Sequence, residues 1–339
     1  MKASSEKKRI LVAGGGGFLG VNLCKNLLQE GHEVICLDNF SSGDKRNLKD
    51  LLPLGKFSVL EQDVTQPVSL HVDEIYNMAC VASPIQYQAD PLQTLKTSTK
   101  GIAVLLNLAV AKGARLFQAS TSEVYGDPHV HPQREDYVLD YARTYGIPAA
   151  VFRMSCIYGP HQFGTEDQGW VAHFLIQAMK GQPLTLYGDG RQVRDILFVD
   201  DLINAMVTAQ DNMTQLSGYA FNIGGGATNS TSLLEILQRI QALTGEHCHY
   251  TFADWRLGDQ KYYVTDTGLF QHLTGWTPKV SIDEGLGLLH QWVAEHLLHQ
   301  TDQTSHQMVQ PSHLIADQDI SIFSQPANGA ISNVNVNVR

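Results

Sequence analysis

The chain has 339 residues, a length typical of two domains or of one large domain. Hydrophobic residues make up 43% of it and charged residues 17%, which supplies a core and argues against general disorder. The net charge of −10 argues against a nucleic-acid binder, because such a protein needs a basic surface to neutralise phosphates.

Targeting and cross-linking signals point to a reducing compartment. The polar segment Met1–Arg9 lacks the apolar run of a secretion signal, and the apolar stretch Gly101–Ala111 is too short to cross a bilayer. The five cysteines are widely spaced and form no C-x-x-C pair, which favours reduced thiols over disulfides or a zinc site. We therefore predict a cytoplasmic protein with no membrane partner and no metal.

The first 150 residues alternate between strand and helix patterns. Short β-rich runs predict buried strands at Arg9–Ala13, Glu33–Asp38, Phe57–Gln62, Glu74–Met78, Arg115–Ser120 and Ala149–Arg153. Helical patterns occur between several of them, at Gly20–Glu30, Pro91–Lys112 and Tyr137–Tyr145. This alternation predicts right-handed crossovers and a parallel sheet.

The second half is mixed. Helices are predicted at Gln168–Lys180, Asp201–Gln210 and Ser232–Thr244, and short strands at Leu184–Tyr187 and Asp195–Val199. We predict a first domain over residues 1–160, with parts of 181–230 returning to it, and a second lobe over 161–298. Residues 299–339 show no periodicity and are rich in Gln, Ser and Asn, which predicts a disordered tail.

A glycine-rich turn follows the first predicted strand. Gly14, Gly17 and Gly20 have G-x-x-G-x-x-G spacing, and a helix begins at once. In a dinucleotide-binding turn, one glycine permits the sharp bend, one lets the backbone approach a pyrophosphate, and one lets the helix pack against the strand. The helix N-terminus then faces the phosphates.

An acidic residue closes the second predicted strand. Asp38 lies 18 residues after Gly20, where a carboxylate accepts hydrogen bonds from a ribose 2′-hydroxyl and repels a 2′-phosphate. This favours NAD over NADP, although Lys45 and Arg46 are near enough to temper the preference. Asp63 and Val64, after the third strand, are candidates to border the adenine, or they form a plain strand-end turn.

Several motifs together resemble one family. They are Gly14–Gly20 with Asp38–Phe40, Ser120–Gly126, Tyr187–Asp195, Phe221–Gly225 and Arg256–Asp259. Over roughly residues 8–298 the chain is similar to the extended short-chain dehydrogenase/reductases that act on nucleotide sugars. The part with Ala82–Pro84, Tyr87 and Ser122–Asp136 resembles UDP-glucuronate decarboxylase, which forms UDP-xylose. The part Leu139–Asp195 resembles the CDP-tyvelose and CDP-paratose 2-epimerases.

The resemblance implies an α/β fold, a Rossmann doubly wound parallel sheet with a smaller C-terminal α/β substrate lobe. It implies NAD as cofactor and a UDP- or CDP-sugar as substrate. The implied NAD contacts are Gly14, Gly17, Phe18, Leu19, Gly20, Asp38, Asn39, Asp63, Val64 and Ala79. Thr121 would hydrogen-bond the sugar hydroxyl and Glu123 would assist proton transfer. Tyr87, Arg191, Arg194 and Arg256 would bind the nucleotide sugar.

One departure from the family concerns catalysis. Its general base is the tyrosine of a Tyr-x-x-x-Lys motif, on the helix after the Thr121 strand, and the lysine lowers the pKa of that tyrosine. Here Tyr125, Tyr137, Tyr141 and Tyr145 are followed four residues on by His129, Tyr141, Tyr145 and Ala149. About twenty residues are missing between Asp136 and Tyr137, roughly 30 Å of helix.

Three functions follow as alternatives. The first is an NAD-dependent nucleotide-sugar epimerase that works through a transient keto-sugar, and the second is a UDP-glucuronate decarboxylase. The third is a catalytically impaired protein that still binds NAD and a nucleotide sugar; an internal deletion or an error in the gene model would leave the same gap. Because relatives pair through Pro91–Lys112 and the shortened helix after Thr121, we also predict a weakened homodimer.

Overall fold

A computed structural model gives the fold and describes residues 6–80, 82–121, 148–256 and 260–298. All of them belong to one folded unit that ends at Leu298. The predicted helix Tyr137–Tyr145 and the predicted tail 299–339 lie outside the described residues. Within the described part of the chain, no helix has the length and apolar character needed to span a bilayer.

The described strands number thirteen. They are β1 (Arg9–Ala13), β2 (Glu33–Asp38), β3 (Phe57–Glu61), β4 (Glu74–Asn77), β5 (Arg115–Thr121), β6 (Ala149–Met154), β7 (Cys156–Tyr158), β8 (Leu184–Tyr187), β9 (Val193–Phe198), β10 (Ala220–Ile223), β11 (Ser230–Ser232), β12 (Tyr250–Ala253) and β13 (Tyr262–Tyr263).

The described α-helices are interleaved with these strands. They are α1 (Phe18–Gln29), α2 (Pro84–Ala89), α3 (Pro91–Lys96), α4 (Ile102–Lys112), α5 (Trp170–Met179), α6 (Val199–Asp211), α7 (Met213–Leu216), α8 (Leu233–Thr244), α9 (Gly268–Thr274) and α10 (Ile282–Val293).

A seven-stranded sheet forms the centre of the fold. Its order is β10-β6-β5-β4-β1-β2-β3, and every neighbouring pair is parallel. The order reverses between β1 and β4, which makes this edge the switch point where open α/β sheets bind ligands. The predicted Rossmann fold class is confirmed.

Both faces of the sheet are buried at β1 and β2, which explains why the middle of each of these strands is continuously apolar. Ile10 and Val12 of β1 pack into one hydrophobic cluster, whereas Leu11 and Ala13 pack into a second cluster that includes Leu105 of α4. Neighbouring residues of a strand point to opposite faces, so a strand between two helical layers needs an apolar residue at every position.

The predicted helix Pro91–Lys112 is helical throughout, but it is not a regular α-helix. A π-helical turn at Thr97–Gly101 separates α3 from α4. Gly101 lies close to the turn that follows β3, because a Cβ atom on Gly101 would be 2.8 Å from Val64 Cγ1. The local helical pattern could not reveal this contact, because Val64 is 37 residues earlier in the sequence.

The second half adds smaller sheets and one more strand to the centre. β9 pairs with β7 and β13 in parallel and with β11 in antiparallel fashion, and β8 pairs with β12. β10 pairs with β6 at the edge of the central sheet, so the chain returns there at Ala220. The boundary near residue 160 stays a prediction.

His161 lies in a tight bend after β7 and packs against α10. Its ring centroid is 5.4 Å from that of Trp292, and its φ angle is +67°. Burial lowers the pKa of His161 to about 4, and the nearby Lys25 and His296 add to the effect, whereas Asp50 opposes it. The folded state therefore favours the neutral ring.

The stability of the protein should depend on this ring. Between pH 6.5 and about 4 the unfolded chain binds a proton at His161 that the folded chain does not. Because of His161, the free energy of unfolding should be about 3 kcal/mol lower at pH 4 than above pH 6.5. We expect His161→Asn, which tolerates positive φ, to reduce the slope of unfolding free energy against pH in urea titrations. The exposed His71→Asn serves as control, and an unchanged slope in His161→Asn would contradict the assignment.

Candidate functional site

The switch-point edge collects four predicted site residues from four neighbouring strands. Asp38 ends β2, Gly14 follows β1, Ala79 follows β4 and Thr121 ends β5. A Cβ atom on Gly14 would be 2.9 Å from the Ala79 nitrogen, so these two turns touch. Thr121 is exposed and pairs with Met154 of β6. The sheet thus places the predicted cofactor and catalytic residues along one edge.

The glycine turn is shaped by two close contacts. Gly14 has φ +78°, a left-handed conformation that favours glycine, and its N–H donates to Leu37 O at 2.8 Å. A Cβ atom on Gly20 would overlap the Gly14 oxygen, so α1 can approach β1 closely only with glycine there. These two positions support the turn and packing roles expected from the spacing.

Gly17 differs from Gly14 and Gly20 in having open space around it. It is the N-cap residue of α1, and a Cβ atom there would meet only Gly14 O, at an ordinary 3.5 Å, among the described residues. The fold itself does not require glycine at this position. A helix N-terminus with an open glycine beside it is the arrangement that admits a phosphate close to the backbone.

Asp38 ties the glycine turn to the loop after β2. Its Oδ2 accepts from Gly16 N at 2.9 Å, and its Oδ1 accepts from Phe40 N at 2.7 Å. The Phe40 ring packs against Gly16, where a Cβ atom would be 2.7 Å from it. The sequence spacing missed Gly16, whose N–H shares the Asp38 carboxylate.

Asp63 and Val64 have different roles: Asp63 makes hydrogen bonds, whereas Val64 packs in the core. Asp63 accepts hydrogen bonds from Thr65 N at 2.8 Å, from Gln93 Nε2 at 3.2 Å and from Asn39 Nδ2 at 3.4 Å. Burial raises the pKa of the Asp63 carboxyl, but these bonds outweigh it and leave the pKa below its ordinary value. The Val64 side chain is buried in the cluster under α4. Asp63 thus joins Asn39 to α3 beside the cofactor edge.

Arg256 lies in a cluster that the sequence did not reveal. Its guanidinium stacks 3.6 Å from the Tyr187 ring centroid, and its Nη1 donates to Glu166 O at 3.2 Å. Its Nη2 is 3.6 Å from Asp167 Oδ1, and the Tyr187 hydroxyl donates to Glu166 Oε1 at 2.8 Å. The planar guanidinium suits a diphosphate, with an aromatic face to hold its plane.

The other two predicted arginines lie on and before β9. Arg191 is exposed, and its backbone N–H donates to Asp189 Oδ1 at 2.9 Å. Arg194 is half-buried, and its Nη1 donates to Val193 O at 2.9 Å. Neither makes a salt bridge within 4.0 Å to an acid of the described residues. Their guanidinium groups retain donors for an anionic ligand.

Asp195, beside Arg194, is fully buried and structural. Its Oδ2 accepts from Gly226 N at 3.0 Å and from Ser155 Oγ at 3.2 Å. Burial raises the pKa of the Asp195 carboxyl, and these bonds offset part of the rise. A Cβ atom on Gly224 would overlap the carboxylate, which explains the glycine in the Phe221–Gly225 motif.

Two predicted residues cannot be placed. Glu123 lies outside the described residues, together with most of the Ser120–Gly126 motif and with Tyr125, Tyr137, Tyr141 and Tyr145. Tyr87 belongs to α2, and its side chain lies outside the described part. Their roles stay predictions.

A comparison with known protein families decides the wider identity. The sequence profile of the NAD dependent epimerase/dehydratase family matches residues 10–224, from β1 to the residue after β10. The chain belongs to this family. The resemblance inferred from the motifs is confirmed, and NAD is the cofactor by which the family is named.

Curated relatives of the family match most of the chain. UDP-glucuronic acid decarboxylase 1 of Danio rerio is 35% identical over 323 residues, covering 88% of this chain and 76% of the relative. UDP-glucuronic acid decarboxylase 6 of Arabidopsis thaliana is 34% identical over 305 residues, covering 83% of this chain and 87% of the relative. Both are named for decarboxylation.

Solved structures of the family share the fold. UDP-glucose 4-epimerase of Thermotoga maritima, solved with UDP-glucose, is 27% identical with a TM-score of 0.75, covering 85% of this chain and 99% of that one. UDP-glucuronic acid 4-epimerase of Bacillus cereus, solved with UDP-glucuronic acid and NAD, is 25% identical with a TM-score of 0.76 and the same coverage. These neighbours are named for epimerisation.

The residues of the switch-point edge fit a bound NAD. Gly17 leaves open space at the N-terminus of α1, where a pyrophosphate would lie against backbone N–H groups. The Asp38 carboxylate is fixed beside the turn by Gly16 N and Phe40 N, where a ribose hydroxyl would donate to it. When bound, NAD would supply a reversible hydride acceptor.

Gly17 offers a direct test of this fit. We expect Gly17→Ala to keep its stability within about 1 kcal/mol, because its Cβ meets no close atom of the described chain. The same methyl should obstruct the pyrophosphate and weaken NAD binding at least about tenfold, an effect of about 1.4 kcal/mol. Calorimetric titration with NAD and urea unfolding measure the two effects.

Two glycine variants complete this test. Gly20→Ala should destabilise the protein by about 1–3 kcal/mol, because its Cβ overlaps Gly14 O. Gly287→Ala, on the open face of α10, should leave NAD affinity unchanged and raise stability by about 1 kcal/mol. Equal NAD affinity in Gly17→Ala and Gly287→Ala would refute the pyrophosphate role of Gly17.

Proposed function

We propose that this chain binds NAD and a UDP-sugar at the switch-point edge, but turns the sugar over very slowly. The observation that carries the proposal is the absence of the Tyr-x-x-x-Lys pair after Thr121. No lysine occurs in the sequence between Lys112 and Lys180, so no residue of this stretch can supply the lysine of that motif. A tyrosine without such a cation keeps its proton at neutral pH.

The alignments to relatives support a missing segment. The match to the Danio rerio relative spans 323 residues but covers 88% of this chain, which is about 298 of its 339 residues. About 25 positions of that match therefore lie opposite gaps in this chain. Their number agrees with the twenty or so residues that the motif comparison finds missing between Asp136 and Tyr137.

The binding half of the site is assigned to residues that remain. Gly14, Gly17, Gly20 and Asp38 would hold NAD, with Asn39 and Asp63 beside the adenosine. Arg191, Arg194 and Arg256 would hold the diphosphate of the sugar nucleotide. Thr121 would donate to the sugar hydroxyl, but a threonine hydroxyl has too high a pKa to remove its proton unaided.

Two reactions are candidates for a chain of this kind that carries the complete Tyr-x-x-x-Lys motif. The curated relatives, 33–35% identical over 83–88% of the chain, are UDP-glucuronic acid decarboxylases and support decarboxylation. The motifs of residues 139–195 and the epimerase structures support epimerisation, the first prediction from the sequence. We favour decarboxylation, because those relatives match at higher identity. UDP-glucuronate is the substrate that separates the two reactions, since one releases CO₂ and the other preserves mass.

We expect slow turnover by this chain, and we expect insertion of the missing segment to restore turnover. We expect conversion of UDP-glucuronate with NAD supplied to be at least ~10²-fold slower than in a decarboxylase relative, the usual cost of losing a positioned base. Inserting the relative's corresponding segment between Asp136 and Tyr137 should restore activity. Chromatography and mass spectrometry of the products measure the rate and identify the reaction.

The control is the same graft with the motif tyrosine changed to phenylalanine and its lysine to methionine. It should fold like the active graft and remain slow. Family-level turnover by the ungrafted chain would overturn the proposal and assign the base role to Tyr137 or Tyr141. UDP-xylose as product identifies a decarboxylase, whereas an isomer of equal mass identifies an epimerase.

We further propose that the chain forms a weakened homodimer through α3 and α4. Leu92 and Leu95 of α3, about one turn apart, and Val110 of α4 are 58–68% exposed, which is high for apolar side chains. The family resemblance implies that the helix after Thr121 completes this contact. The shortened segment of this chain would leave less apolar area to bury between two copies.

Sedimentation tests the homodimer directly. At micromolar concentration we expect a monomer or a monomer–dimer mixture. Leu95→Asp should raise the dissociation constant at least about tenfold, because a carboxylate would replace apolar contact area. Leu288→Asp changes a leucine of α10 that is 41% exposed and should have no effect. A tight dimer that persists at nanomolar concentration would refute the weakened interface.

A further inference from the structure

Two basic side chains follow Asp38, and each is paired with a carboxylate. Lys45 Nζ is 2.6 Å from Glu61 Oε2. Arg46 Nε and Nη2 are 2.8 and 2.6 Å from Asp44 Oδ2. The sequence alone predicts that these bases temper the preference for NAD. The structure places an acid beside each base, and the opposite charge weakens the attraction of that base for a further phosphate.

Glu61 is the more informative of the two acids. It ends β3 and is the register partner of Asp38, which ends β2. Two carboxylates therefore stand side by side at the ends of neighbouring strands, with Lys45 as the counter-ion of Glu61. Lys45 Nζ also lies 5.0 Å from the centroid of the Phe40 ring, and that ring packs against Gly16 of the glycine turn.

There is room beside Glu61. A surface pocket of about 220 Å³ is lined by Phe40, Lys45, Lys49 and Glu61, with Leu48, Leu52 and Val59 forming its apolar wall. A group attached to the ribose 2′-oxygen would enter the space next to Asp38, Phe40 and Glu61. The pocket offers the ammonium groups of Lys45 and Lys49, and Glu61 pairs with that of Lys45.

We propose that Glu61 is a second residue, besides Asp38, that makes this site select NAD over NADP. Asp38 repels a 2′-phosphate directly. Glu61 acts through Lys45, which it holds away from that phosphate, and through its own negative charge. The removal of Asp38 alone therefore does not open the site to NADP, whereas the removal of both acids releases Lys45 to bind the 2′-phosphate. The proposal rests on NAD binding at this edge, and not on catalysis.

The test is calorimetric titration of NAD and NADP into a set of variants. The set is the unmodified chain, Asp38→Ser, Glu61→Gln, the double variant Asp38→Ser/Glu61→Gln, and that double variant with Lys45→Met. Asp38→Ser/Glu33→Gln is the matched control, because Glu33 pairs with Arg9 at the opposite end of β2. Urea unfolding of each variant reports whether it is folded.

The double variant should bind NADP at least about tenfold more tightly than Asp38→Ser alone. Lys45→Met should cancel that gain, and the control should match Asp38→Ser. Glu61→Gln alone should keep NAD affinity within about twofold, which shows that the cofactor site remains intact. Equal NADP affinity in Asp38→Ser and the double variant, or no effect of Lys45→Met, would overturn the role of Glu61. Failure of the unmodified chain to bind NAD would overturn the cofactor site itself and this proposal with it.

Discussion

The cofactor edge of this fold depends on the close approach of α1 to β1 at Gly14 and Gly20. A Cβ atom on Gly20 would overlap the Gly14 oxygen, so a side chain there would push the helix away from the sheet. That contact aims the N-terminus of α1 at the switch point and sets the height of Gly17 above the strand ends. Asp38 then fixes the turn from the side through Gly16 and Phe40. The glycine turn and Asp38 are therefore positioned by contacts within the first 40 residues.

The catalytic half of the site comes from a different part of the chain. In the family it comes from the segment between β5 and β6, which connects two adjacent strands of the sheet. A parallel crossover needs about a dozen residues, and 27 residues lie between Thr121 and Ala149. The sheet can therefore keep its order without the motif, as the pairing of β5 with β6 shows. Under the proposed function, loss of that helix would remove chemistry without removing the fold, because in the family pattern the helix carries the tyrosine and the lysine but closes none of the strand pairs.

The sequence predicted the first six strands of the sheet to within one residue at each end, because each is a short apolar run bounded by turns. It placed the glycine turn and Asp38 correctly for the same reason, since both lie at fixed distances along the chain. It did not predict the π-helical turn at Thr97–Gly101, the stacking of Arg256 on Tyr187, or the pairing of Lys45 with Glu61. Each of these depends on a partner at least 16 residues away. Local periodicity carries no information about such partners, and β7 and β10 to β13 were missed because each has only two to four residues and little pattern.

Under the proposed function, NAD and the nucleotide sugar still bind to this chain, whereas hydride transfer from the sugar is slowed at least about 10²-fold. A stopped-flow measurement separates binding from hydride transfer. The chain is mixed with NAD and UDP-glucuronate at concentrations that calorimetry shows to be saturating. The near-ultraviolet absorbance of reduced nicotinamide is then recorded over time. Both ligands should bind, and reduced nicotinamide should form at least about 10²-fold more slowly than in a decarboxylase relative measured beside it. Formation of reduced nicotinamide at the relative's rate would show that hydride transfer is intact and would refute the proposed function.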